Sequence, residues 1–322
     1  MKDKIEILVI TNIIFTLSEE NQKKIKEAVP QIVLTVTNGK EVTTDMISKA
    51  EIIFGWLEEE QLSLAKNLKW LHLPSAGADG FTDTEAFCNK DIRVTTSSGV
   101  FGMPIAEHVF AMILAHNRNL QEYAYRKTTK DWHRKWEVKD FFGSTIGILG
   151  LGDIGTEIAQ RAKAWGATVL AVKRTLSQKP DFVDQLYSME ELDEVLKQSD
   201  YLVLALPNTD KTRNIINEEK LRLMKPEAFL VNIGRGVLVD QEALIRALSE
   251  GWIAGAGLDV TEPEPLPQDS PLWELENVIL TPHTSGGSPT NETRRMNIFY
   301  RNLISYMEGN PLMNQVDFVE KY

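Results

Sequence analysis

Residues 144–175 read STIGILGLGDIGTEIAQRAKAWGATVLAVKRT, and this stretch decides the fold. An apolar run, STIGIL, ends in Gly150-Leu-Gly152-Asp-Ile-Gly155, which opens the amphipathic segment IGTEIAQRAKAWG and leads to a second apolar run, ATVLAV. Strand, glycine turn, helix and strand in that order are the context in which G-x-G-x-x-G binds a dinucleotide. Gly150, Gly152 and Gly155 let the backbone turn tightly, and a pyrophosphate then rests on free N–H groups at the positive end of the helix. Asp153 and Ile154 fall inside this loop, so Asp153 either approaches the phosphates or turns to solvent.

Working outward, residues 144–282 contain six apolar runs, STIGILG, ATVLAV, YLVLAL, AFLVNI, AGAGLDV and NVILTP, separated by helical segments. One segment begins Ser188-Met-Glu-Glu191, a capping-box spacing. The alternation predicts a Rossmann-type doubly wound sheet. Residues 1–99 repeat the strand–helix rhythm on a smaller scale, with IEILVIT, IVLTV, EIIFG, KWLHLP and IRVTT as strands and stretches such as LEEEQLSLAKNL as helix. From Met103 to about Lys127 the pattern is that of one long helix opened by Pro104 and bridging two domains. After His283, TSGGSPT reads as a crossover to a helix whose Met296, Phe299, Leu303, Ile304 and Met307 share a face. With no strand after it, that tail is expected to pack back on the first domain. The expectation is an α/β protein of two domains, residues 1–99 plus 285–322 with a flavodoxin-like parallel sheet, and residues 100–284 with the Rossmann sheet.

At 322 residues, each domain can bury its own core. Forty-six acidic residues against 35 Lys and Arg leave a net charge of -11, which argues against nucleic-acid binding, since that needs a basic face. The N-terminal run IEILVITNIIF is interrupted by Thr11 and Asn12 without a cleavage site, so it reads as a strand rather than a secretion signal. No stretch approaches the ~18 continuous apolar residues that span a bilayer. One cysteine, Cys88, excludes an internal disulfide and suits a reducing compartment, so a cytoplasmic location and a partly buried thiol are expected. His72, His108, His116 and His133 read as structural. His108 and His116 stand about two helical turns apart, too far to share a metal, and no metal is expected. Trp56, Trp132 and Trp136 suit a substrate pocket, a dimer interface or the core equally.

At the end of the run ATVLAV an acidic residue would accept hydrogen bonds from the ribose hydroxyl of NAD. Lys173, Arg174 and Thr175 stand there instead. Two cations and a hydroxyl suit a 2′-phosphate, so NADP(H) is favoured, with NAD(H) the alternative.

Arg235, Glu264 and His283 each follow a buried apolar run, which places all three at the carboxyl edge of one parallel sheet, where open α/β sheets bind ligands. A histidine with an ordinary pKa of ~6.5 gives up a proton poorly at neutral pH, and a carboxylate such as Glu264 beside it keeps more of it protonated. His283 would then donate to a carbonyl oxygen while a hydride reaches the carbon, and Arg235 would clamp a carboxylate.

The wording around these residues, VNIGRGVLVD, GLDVTEPEPLPQDSPLWELENVILTPH and the earlier GLGDIG, resembles the D-isomer-specific 2-hydroxyacid dehydrogenase family. The resemblance runs from about KWLHLPSAGADG to the end of the tail helix. It implies that residues 1–99 plus 285–322 form the substrate domain and residues 100–284 the nucleotide-binding domain. It also implies an active site in the cleft and a homodimer built largely through the nucleotide-binding domain. The Arg of N-x-G-R-G, the second Glu of E-x-E-P and the His of T-P-H map to Arg235, Glu264 and His283 as the catalytic set. Asp259 maps to a contact with the nicotinamide carboxamide, and Ala76 and Gly77 to a backbone cradle for the substrate carboxylate. Leu206, Pro207, Thr212 and Ile233 map to positions lining the cofactor, and Met103 to one beside the nicotinamide. Many members carry Asp where Lys173 stands and an aromatic residue where Thr261 stands. The resulting expectation is an NADP(H)-preferring reductase of small 2-oxo acids to D-2-hydroxy acids. The alternatives are an NAD-dependent member such as a phosphoglycerate dehydrogenase, or a corepressor-like nucleotide-sensing scaffold.

Overall fold

The computed structural model describes residues 4–175 and 178–321. The chain divides into two compact units, Met1–Val100 with Ser288–Tyr322, and Phe101–Gly287.

In the first unit, β1 (Ile5–Thr11), β2 (Ile32–Asn38), β3 (Ile52–Phe54), β4 (Trp70–Leu73) and β5 (Arg93–Thr96) form a parallel sheet ordered β2-β1-β3-β4-β5. This is the flavodoxin-like order. Ile, Val, Leu and Phe dominate because both faces of such a sheet are covered. One face packs under Leu8, Ile53 and Leu71, and the other under Ile7, Val9, Phe54 and Trp70. Helix Asn291–Glu308 lies on the second face, with Met296, Phe299 and Leu303 in its core and Ile304 and Met307 beside them. Phe299 stacks between Phe54 and Trp70, with ring centroids 4.5 and 5.2 Å away.

The second unit holds β6 (Thr145–Leu149), β7 (Thr168–Val172), β8 (Gln185–Tyr187), β9 (Tyr201–Leu204), β10 (Phe229–Asn232), β11 (Gly255–Leu258) and β12 (Val278–Leu280), all parallel and ordered β12-β11-β10-β9-β6-β7-β8. Alternate residues feed two separate cores, Leu170, Leu202 and Leu230 on one face and Ile146, Val169 and Val231 on the other, as in a doubly wound sheet. β8 is an addition to the six expected strands.

Three local expectations are corrected. The helix expected from Met103 to Lys127 is two helices, Gly102–Asn117 and Leu120–Thr129, broken where Asn119 adopts a left-handed φ of 52°. Asn tolerates that conformation better than other non-glycine residues. Both pieces belong to the second unit, and Met112 packs over Gly257 of β11. The helix read in LEEEQLSLAKNL shrinks to the single turn Glu59–Leu62. Cys88 is exposed rather than partly buried. No helix among the described residues is long and apolar enough to cross a membrane.

Two histidines are locked into these cores. His72 is fully buried, its Nδ1 2.7 Å from Thr95 Oγ1 and its Nε2 3.3 Å from Ser97 Oγ, and burial pushes it down to about 3. His116 stacks on Phe229 at 4.3 Å; burial, followed by the charges of Lys139 and Lys135, pushes it down to about 4. Unfolded, both rings titrate near 6.5, so below that pH the unfolded chain binds more protons than the folded one. Stability is therefore full above pH 6.5 and is lost as pH falls toward these folded-state values, by up to about 1.4 kcal/mol per pH unit for each ring. Urea unfolding at pH 7 and pH 5 should show this loss, and it should be smaller in His72→Asn and His116→Asn. Equal losses in all three proteins would rule the histidines out.

Candidate active site

β6 ends at Leu149, and the chain turns at Gly150, whose φ of 101° favours glycine. The Gly150 N–H donates to Val172 O at 3.0 Å, which ties the turn to the end of β7. A Cβ on Gly155 would stand 1.9 Å from Gly150 O, so only glycine allows helix Asp153–Ala164 to start this close to the strand. The N-cap is Gly152, which has no side chain to accept from the first-turn amides. Those amides and the helix dipole fit a pyrophosphate, as a bound dinucleotide requires. Asp153 and Ile154 form the first turn of that helix.

Around this cradle, the Lys173 N–H donates to Tyr187 O at 3.0 Å, with Lys173 half-buried and Arg174 and Thr175 exposed just beyond β7. Past β9, the Thr212 hydroxyl donates to Pro207 O at 2.7 Å and accepts from Thr209 N at 2.9 Å, fixing the loop that carries Leu206 and Pro207. A Cβ on Gly234 would lie 2.8 Å from Leu206 O, so this loop meets the turn after Ile233 backbone to backbone. Met103 sits, 45% exposed, in the first turn of helix Gly102–Asn117.

Arg235, Glu264 and His283 follow β10, β11 and β12, three neighbouring strands, so their loops leave the same sheet edge side by side. Asn232 shapes the first loop, its Nδ2 donating to Arg235 O at 2.9 Å and its Oδ1 accepting from Gly234 N at 3.1 Å. A Cβ on Gly236 would stand 2.0 Å from Thr261 O, so the arginine turn rests directly on the glutamate loop. In that loop Thr261 N donates to Glu264 Oε1 at 3.2 Å, while His283 Nδ1 lies 2.8 Å from Glu264 Oε2. With Nδ1 directed at a carboxylate, Nε2 is the nitrogen left for chemistry.

Asp259 anchors the histidine. It is 2% exposed and accepts from Thr281 Oγ1 at 2.6 Å, Thr284 N at 2.8 Å and Ser285 N at 3.0 Å. Burial pushes its carboxyl up, but these hydrogen bonds outweigh that and hold it below the usual carboxylate range. Asp259 O accepts from His283 N at 2.8 Å, which secures His283 in a left-handed conformation, φ 49°, that non-glycine residues seldom adopt. His108 Nε2 approaches Thr281 Oγ1 at 3.0 Å and Asp259 Oδ1 at 3.8 Å, extending the network.

The structure thus brings Arg235, Glu264, His283 and Asp259 into adjoining loops of the second unit, with Gly150, Gly152, Gly155, Lys173, Leu206 and Ile233 at the carboxyl ends of the same sheet. Ala76 and Gly77 belong to the first unit, in a turn where Ser75 Oγ donates to Gly77 O at 2.7 Å. The sequence reading omitted Asn232, Gly236, Thr281 and Ser285, which support the side chains it named. The glycine on the far side of Arg235 was the available signal for the first contact. Among the described residues no group of His, Cys, Asp and Glu is placed to hold a metal.

The profile of the D-isomer specific 2-hydroxyacid dehydrogenase, NAD binding domain, matches residues 110–285. A glyoxylate reductase from Pyrococcus furiosus is 41% identical over 264 residues, 79% of this chain and 77% of that one. The structure of a D-isomer specific 2-hydroxyacid dehydrogenase from Xanthobacter autotrophicus Py2, in complex with NADPH and MES, matches with a TM-score of 0.83 at 28% identity, over 98% of this chain and 99% of that one. That of D-lactate dehydrogenase from Aquifex aeolicus, complexed with NAD and lactic acid, matches with a TM-score of 0.76 at 30% identity, over 94% and 96%. Fold and relatives together define an NAD(P)-dependent oxidoreductase acting on the 2-hydroxy acid and 2-oxo acid pair. The chain belongs to the D-isomer-specific 2-hydroxyacid dehydrogenase family.

Proposed function

We propose that this protein reduces a small 2-oxo acid, of which glyoxylate is one candidate, to the D-2-hydroxy acid with NADPH. The observation that carries the assignment is the 2.8 Å contact between His283 Nδ1 and Glu264 Oε2, made next to the turn that presents Arg235. Glu264 holds the imidazole so that Nε2 delivers a proton to the substrate carbonyl oxygen in reduction and removes it in oxidation. Arg235 is the proposed carboxylate clamp of the second unit, and the backbone amides of Ala76 and Gly77 are the proposed carboxylate cradle of the first. Asp259 holds the His283 loop and adds a carboxylate for the carboxamide, with Met103 beside it. When bound, the nicotinamide supplies the hydride. Substituting His283→Ala should lower kcat by about 10²- to 10⁴-fold, with NADPH affinity by fluorescence titration unchanged. Wild-type turnover in that variant would remove His283 from the mechanism.

Lys173, Arg174 and Thr175 support the choice of NADPH, because the relatives' structures hold either cofactor and these three residues stand where the adenosine ribose would lie. A charge-assisted contact contributes about 1.5–3 kcal/mol. Arg174→Ala should therefore raise the KM for NADPH roughly 10- to 100-fold and leave that for NADH nearly unchanged. Initial rates with both cofactors test this, and a wild-type preference for NADH would overturn it.

The enzyme is further proposed to act as a cytoplasmic homodimer joined through the second unit. There Trp132, Trp136 and Phe142 are 94%, 74% and 80% exposed, which leaves no core role for the two tryptophans. Large exposed apolar groups of this kind mark association surfaces. Light scattering should give twice the chain mass for the wild type and the chain mass for Trp132→Glu/Trp136→Glu. A monomeric wild type would refute the dimer.

A further inference from the structure

The loop after β1 is built unlike an ordinary surface connection. Asn12 N donates to Phe15 O at 2.8 Å, and Asn12 Oδ1 accepts from both Ile14 N and Phe15 N at 2.8 Å. The Asn12 side chain and the amides of Asn12, Ile14 and Phe15 are thus satisfied within the turn, while Ile13 and Ile14 stand 99% and 68% exposed. Phe15 anchors the turn in the core, with no exposure and its ring 4.4 Å from that of Phe54.

Helix Asn291–Glu308 clamps this loop at two points. Glu292 Oε1 accepts from Ser18 N and Asn21 Nδ2, both at 2.7 Å. The buried Arg295 donates from Nη1 to Ile14 O at 3.2 Å and from Nε to Pro74 O at 2.9 Å. Pro74 opens the turn containing Ala76 and Gly77, so one guanidinium spans both turns and fixes them a side chain's width apart. Trp56, which meets Phe15 edge to face, reaches the same place with Nε1 3.4 Å from Ser75 Oγ. The 75–77 turn is thus linked, through Arg295 and Trp56, to the turn that carries Ile13 and Ile14.

We infer that the turn Asn12–Phe15 is a specificity element, and that Ile13 and Ile14, with Trp56, select 2-oxo acids bearing an apolar branched or aromatic side chain. The inference rests on the proposal that Ala76 and Gly77 hold the substrate carboxylate, because Arg295 holds this turn beside the start of theirs. The rigid clamp matters here: a mobile loop would lose its contact energy to ordering, whereas a fixed one discriminates by shape.

The test compares kcat/KM, with NADPH, for glyoxylate, pyruvate, 2-oxoisocaproate and phenylpyruvate in the wild type and in Ile13→Ser/Ile14→Ser. Both positions are solvent-exposed, so the variant should fold, and an unchanged KM for NADPH verifies that it has. The wild type should favour 2-oxoisocaproate or phenylpyruvate over glyoxylate. In the variant that ratio should fall at least about 10-fold, since each pocket methylene discriminates by 10-fold or more. A wild type that favours glyoxylate, or a ratio unchanged by the substitutions, overturns the specificity role while leaving the reductase reading intact. Absence of turnover with every acid sinks both.

Discussion

The buried carboxylate of Asp259 decides where the chain can go after β12. Its two oxygens take one hydroxyl and two backbone amides from residues 281–285, and its own carbonyl takes the amide of His283. An ionised group at this depth is costly unless such donors surround it. The sheet edge therefore dictates the loop, and the loop dictates a left-handed backbone at the one histidine that meets Glu264. Residues held in sparsely populated conformations cost of order 1–3 kcal/mol and persist only when the surroundings over-determine them. Here the over-determination is explicit, because the Thr281 hydroxyl and the amides of His283, Thr284 and Ser285 are all committed to Asp259.

The second dependence is backbone contact without side chains. Gly155 against Gly150, Gly234 against Leu206, and Gly236 against Thr261 are three places where a single methyl group would overlap a carbonyl oxygen or carbon. Together they bring the ends of β6, β9, β10 and β11 into one continuous rim. A dinucleotide needs such a rim, since its pyrophosphate rests on main-chain groups.

Much of this was legible in the sequence because parallel strands covered on both faces are near-continuous apolar runs. All five strands of the first sheet and six of the seven in the second fall in the runs read from the sequence. β8 does not: QLY is a three-residue edge strand with an exposed glutamine, and it is recognisable only through its pairing with β7. The break at Asn119 was hidden for the opposite reason. Apolar periodicity continues through Leu120 and Tyr123, so no change of pattern announces the left-handed residue. The Arg235, Glu264 and His283 motifs stood out, yet what aims them did not. Thr281 and Ser285 reach Asp259 across more than twenty residues, a spacing that no local rule encodes.

Thr261 shows how such support converts an apparent departure from the family pattern into a local solution. An aromatic residue is the expectation from the family resemblance at this position. In this chain the Thr261 hydroxyl donates to Pro263 O at 3.0 Å, and its amide donates to Glu264 Oε1. Gln241 closes the same loop from outside, its Nε2 donating to Glu262 O at 2.7 Å and its Oε1 accepting from Glu262 N at 3.0 Å. These hydrogen bonds position Glu264 by direction. Directional bonds constrain orientation more tightly than apolar contact does. That suits a carboxylate whose second oxygen must meet His283 at hydrogen-bond distance while half of the histidine side chain stays open to solvent.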